Sequence, residues 1–265
     1  MAADLKNIRL FADSHAVEVM TFSVTLGIPI DHADIRRFED GGQEIEKVYP
    51  SITSPETIQF AIGPSGQPHL PPPVPVKELN FYSSAGKSVW AGSYGDSTVK
   101  VLCHKYQGWK NDWPQAKERL DMLLGFIAPH KPVLSVDYSV TNSFRANRSD
   151  NVLNPSTLFQ SSNDFIAPRI LELADPRWDF NQGWFDERTS NGETLVRVNG
   201  HGGIEGDRVI AKIVTLHAGR LGCSVEKLLE YSDSIFDDFH NRSKHLLQRL
   251  LARGLVDRMG LDVSR

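Results

Sequence analysis

The chain has 265 residues, long enough for one large domain or two smaller ones with a buried core, and its 40% hydrophobic and 23% charged content is ordinary for a globular protein. A formal net charge of -4 supplies no bulk attraction for nucleic acid or anionic lipid. No apolar run is long enough to span a membrane, and charges are scattered through the N-terminus where a secretory leader needs an apolar centre. Cys103 and Cys223 stand apart with no CxxC spacing, so neither a disulfide framework nor a cysteine zinc site is expected, and the setting reads as reducing and cytoplasmic.

The first periodic segment, Val17–Ile28, alternates with β-branched residues and is predicted as a strand with Met20, Phe22, Val24 and Leu26 facing the core. Helical spacing follows over Asp31–Val48, broken at Gly41-Gly42. Residues 56–62, "ETIQFAI", return to a strand pattern. Gly63–Val76 holds six prolines, each fixing φ and lacking a backbone donor, so an extended loop is expected there.

Strands at Lys77–Ser83, Lys87–Ser93 and Thr98–Lys105 form a predicted meander. A helix should then start with Asp112 as N-cap and Pro114 in its first turn, and stop at Pro129. Val133–Val140 is the next strand. Beyond an irregular 145–163 and a short segment at Pro168–Ala174 come strands at Trp178–Phe185, Glu193–Val198 and Arg208–His217, then helices at Ser224–Glu230 and Ser232–Arg253.

The order strand, loop or helix, meander, long helix occurs twice without the residues repeating. The expectation is an α+β protein of two similar units, 1–130 and 131–265, each an antiparallel meander plus a long helix, with strands able to join in one continuous sheet.

Several stretches bear on chemistry. "SSAGKS" at 83–88 ends like a phosphate-binding loop, but Phe81 stands where the first glycine is required and a strand follows, so a hairpin turn is expected. "NGHGGIEGDRVIAKI" at 199–213 lacks dinucleotide spacing and also runs into a strand. Read as a hairpin turning at Glu205-Gly206, it places Val198 opposite Ile213 and Val196 opposite Thr215. Thr194, Val196, Val198, Ile213 and Thr215 then share one face. In that register His201 and His217 are roughly 23 Å apart, too far to share a metal. Gly200, Gly202 and Gly203 would suit a close backbone approach by a partner.

On the last helix, Asp233, Asp237 and His240 stand at i, i+4 and i+7, a spacing that can present metal ligands; an amphipathic helix explains the same residues. Its apolar stripe is Ile235, Phe236, Phe239, Leu246, Leu247 and Leu250. Trp178, Phe180 and Trp184 alternate on one strand face, as a core row or as the lining of a ligand groove. No GxSxG, HExxH, DxDxDG or paired CxxC motif occurs.

The pieces "VEVMTFSV" (17–24), "GWKNDWPQAKERLDMLLGF" (108–126), "VLSVDYSVTN" (133–142) and "YSDSIFDDFHNRSKHLL" (231–247) span most of the chain in order. In these it resembles a sporadically distributed, largely uncharacterised bacterial protein family of similar length. Such proteins have an apolar V-E-V strand, a Trp-basic…Pro element before a helix, and a closing helix with a Phe-and-His pattern. The resemblance implies a duplicated α+β fold similar to export-chaperone-like sheets, no catalytic residues, and, from relatives beside mobile or defence genes, a partner-binding or toxin-neutralising role.

The first functional expectation is a non-catalytic protein that binds a protein or peptide partner through sheet edges, the proline-rich loop and the glycine loop, with Trp178, Trp184, Gly202 and Gly203 as binding residues. Neither cofactor nor metal is expected for it, and free sheet edges would also allow a homodimer. The alternative is a metal-dependent hydrolase or nuclease using Asp233, Asp237, His240 and His201.

Overall fold

In the computed structural model, which describes residues 5–12, 15–54, 76–150, 152–189 and 192–261, the alternating segments become strands of one sheet. The two-residue β1 (Arg9–Leu10) precedes β2 (Val17–Leu26), whose Met20, Phe22, Val24 and Leu26 are all buried, as their alternation requires. α1 (His32–Asp40) begins at a capping box of Asp31 and Asp34 and ends at Gly41, where a Cβ would strike the ring of Phe126. α2 (Gly42–Val48) and β3 (Ser51–Thr53) follow. The strand expected at 56–62, and 63–75 of the proline-rich segment, lie outside the described residues.

β4 (Lys77–Tyr82), β5 (Ser88–Gly95) and β6 (Thr98–Cys103) form the expected antiparallel meander, and the GKS stretch is its first turn, with Gly86 at φ 72°. α3 (Trp109–Gly125) starts earlier than expected. Gly108, at φ 107°, is its N-cap, while Asp112 sits inside the helix and its carboxylate reaches back to accept the Gln107 N–H at 2.6 Å. Starting early puts Trp109 and Trp113 one turn apart, stacked at 5.4 Å, with both rings against Phe22.

β7 (Pro132–Asn147) is twice its expected length, because Asn142, Phe144 and Ala146 continue the inward alternation past Val140 and into the start of the stretch expected to be irregular. Two short helices, α4 (Pro155–Leu158) and α5 (Pro168–Leu171), lead to β8 (Trp178–Thr189), β9 (Gly192–Glu205) and β10 (Arg208–Ser224). α6 (Val225–Leu250) is a single helix where two were expected; Ser232 does not cap it but lies buried within it, accepting a hydrogen bond from Lys117 Nζ at 2.7 Å. α7 (Arg253–Arg258) follows.

The strand order is β3-β4-β5-β6-β2-β7-β10-β9-β8, with β1 on β7. The fold is thus α+β, with one continuous antiparallel sheet. By packing, the chain forms two compact units: Phe22–Val136 with Leu221–Ser232, and the N-terminal stretch to Thr21 with Asp137–Arg220 and the chain from Asp233 on.

The first of these units holds a buried ion cluster. The carboxylate of Asp34, with no exposed surface, is gripped by Lys131 and Arg37 and accepts N–H donors from Asp31 and Ala128. In the second, Val196, Val198, Val209, Ala211 and Ile213 of β9 and β10 pack with Leu246, Leu247 and Leu250 of α6. Among the described residues no helix is long and apolar enough to cross a membrane.

Candidate functional site

The β9–β10 hairpin turns at Gly206-Asp207, one residue later than expected, with Glu205 opposite Arg208. Gly206, at φ 63°, takes the first central position, where a two-residue II′ turn favours glycine. Each partner therefore moves by two residues: Val196 faces His217 and His201 faces Lys212. A shift of two preserves the face, so Thr194, Val196, Val198, Ile213 and Thr215 share one face as expected, and that face is the buried one.

The glycine stretch is neither a loop nor a tip but the interior of β9. Gly200 stands opposite Phe180 and Gly202 opposite Trp178, and a Cβ at either glycine would run into those rings. The close approach expected there is made by the protein's own aromatics. Trp178 is buried, donates its indole N–H to the Leu153 carbonyl at 3.2 Å, and meets Phe159 edge-on. Gly203, by contrast, has only the His201 ring near it.

The hydrolase candidates are dispersed. His201 lies exposed on β9, 3.7 Å from Asp179 across the strand pair. His240 turns inward, its Nδ1 3.1 Å from the Tyr138 hydroxyl, while Asp233 and Asp237 lie on the exposed side of α6. Among the described residues no three of His, Cys, Asp and Glu gather closely enough to hold a metal ion.

Trp184 is placed differently. It lines a cleft of about 510 Å3 within the second unit, walled by β8 (Trp184, Asp186), β9 (Val196), β10 (His217), the loop residue Phe165, and α6 from Asp238 to Arg249. α6 is held to the sheet beside it by a buried hydrogen bond of 2.6 Å between Ser243 and Thr215. Trp184 and Phe165 stack at 5.1 Å, and the Arg249 guanidinium lies 4.7 Å over the Phe165 ring, extending the aromatic wall with a cation.

Arg242 ties the far side together, donating to Asp238 at 2.7 Å and to Asp186 at 3.1 Å. At the floor, His217 is 2% exposed, lies against the Phe239 ring, and has no hydrogen-bond partner on either ring nitrogen. Burial, helped by Arg242, pushes its pKa down to about 4, so the imidazole is neutral near pH 7, with one donor and one acceptor.

Of this lining, sequence reasoning reached Trp184 and missed Phe165, His217, Arg242 and Arg249. His217 carried a signal, a histidine two places beyond Ile213 and Thr215 on the buried face. Asp238, Arg242 and Arg249 carried a weaker one, i, i+4 and i+11 on one helix face.

β8 is also the last strand of the sheet. Among the described residues no strand pairs with its outer edge, and no turn or loop backbone bonds to it. Asp179, Asn181, Gln182 and Gly183 are exposed along it, and Phe185 is 58% exposed. No protein-family model matches the chain, and no curated protein matches it.

Proposed function

We propose that the protein is a non-catalytic binding protein that takes an extended segment of a protein partner along the outer edge of β8, with the adjoining cleft receiving side chains. The observation that carries this reading is the outer edge of β8, which no strand among the described residues covers, beside a cleft lined from that same strand. Strand addition to an open edge supplies main-chain hydrogen bonds for affinity, and pockets beside it supply specificity for alternate side chains. Long open edges are hazardous for a free protein, and their retention is explained when a partner covers them. The family resemblance in the sequence supports a toxin-neutralising or chaperone-like role, and the unpaired cysteine spacing supports a cytoplasmic setting for it.

The test is a peptide-display selection against the whole chain, followed by N-methylation of each backbone amide of the enriched peptide. Strand addition requires loss of binding at every second amide along the paired stretch. Binding insensitive to N-methylation, or the absence of any enriched peptide, would overturn the reading.

A further inference from the structure

We infer that the cleft seats a phenol ring, the tyrosine side chain of the bound segment, with His217 hydrogen-bonded to its hydroxyl. This rests on the strand-addition reading, which turns every second side chain of the segment toward the cleft side of the sheet.

Three features select this group. The first is shape and apolarity: Trp184 stacked on Phe165, with Val196 and Leu246, gives the cleft aromatic and aliphatic walls that suit a flat ring. The second is charge. Asp186 and Asp238 are both bonded by Arg242, and with Arg249 the two carboxylates and two guanidiniums of the lining cancel, so a neutral group is favoured over a phosphate or a carboxylate.

The third is His217. An imidazole buried this deeply with neither nitrogen paired is costly, and it lines the cleft floor rather than a closed core. A phenol hydroxyl both gives and takes a hydrogen bond, so it satisfies whichever imidazole nitrogen faces the cleft. A phenylalanine ring would leave that nitrogen unpaired, and a site built around a hydroxyl discriminates against the analogue that lacks it.

The experiment uses the intact chain with 15N-labelled histidine and 19F-labelled tryptophan, titrated separately with N-acetyl-L-tyrosinamide, N-acetyl-L-phenylalaninamide and N-acetyl-O-phosphotyrosinamide. The expected result is a saturable shift of the His217 ring nitrogens and of Trp184 with the tyrosinamide, with binding weaker by about tenfold or more for the phenylalaninamide. His217→Leu should erase that preference, and His217→Gln, which keeps a donor and an acceptor, should restore part of it.

Equal binding of tyrosinamide and phenylalaninamide, tightest binding of the phosphorylated amide, or no shift with any of the three would overturn the inference. The strand-addition reading fails separately, through loss of the alternating N-methyl pattern in peptides. A peptide that shows that pattern while tyrosinamide fails removes the tyrosine seat alone.

Discussion

Trp178 stands directly opposite Gly202 across the β8–β9 pair, and its indole occupies the space a side chain on that glycine would need. Phe180 and Gly200 repeat the relationship one step along. Gly200→Ala and Gly202→Ala should each cost about 1–3 kcal/mol, since rigid rings, and at 202 the Pro176 carbonyl as well, must move to admit a methyl group. Gly203→Ala, which meets only the mobile His201 ring, should stay within about 0.5 kcal/mol. Urea denaturation of the three variants measures this; equal costs at 202 and 203 would mean that the ring seat is not what requires glycine.

Acid should weaken the fold before most carboxylates titrate. Burial pushes both His217 and His240 down to about 4, with Arg242 adding to the effect on the first and Lys244 on the second. Between their ordinary value of 6.5 and 4 the unfolded chain binds protons that the folded chain refuses, so stability falls as pH drops through that window. The loss amounts to about 3 kcal/mol for each group. His217→Phe should remove its share of the slope of unfolding free energy between pH 6.5 and 4, and an unchanged slope would contradict the burial argument.

Removing one member of the Asp34 cluster should be severe. Asp34→Ala leaves the ammonium of Lys131, itself buried, facing Asp31 and the Pro29 carbonyl without its closest anion, at a cost of about 3–5 kcal/mol. The double variant Asp34→Leu/Lys131→Met, which removes both charges, should be more stable than Asp34→Ala alone. Thermal and denaturant unfolding decide between this and simple additivity.

The parts of the fold that alternation or helical spacing dictates were legible in the sequence: the inward row of β2, the meander of β4 to β6, and the apolar stripe of α6. The limits of elements were less so. β7 continues through Asn142 and Ser143, polar residues that look like a loop until the sheet buries them, and α3 has its N-cap at Gly108, with Asp112 inside the helix accepting the Gln107 N–H instead of capping.

The candidate site was harder to see because it is assembled from five separate segments of the chain. Trp184 stood out as an aromatic on an alternating strand, yet Phe165 and Arg249 meet it through tertiary packing that no local spacing encodes. The glycine run misled in an instructive way. It signalled a close approach correctly, while the approaching group was Trp178, some two dozen residues upstream on the neighbouring strand.

The most direct test of the central claim is amide hydrogen exchange along β8, read residue by residue with and without a display-selected peptide. The free chain should exchange rapidly at those amides of 178–186 that face away from β9, and bound peptide should slow them in an alternating pattern while the β9 side stays protected throughout. Peptide binding that leaves β8 exchange unchanged and slows amides elsewhere would contradict the edge as the recognition surface.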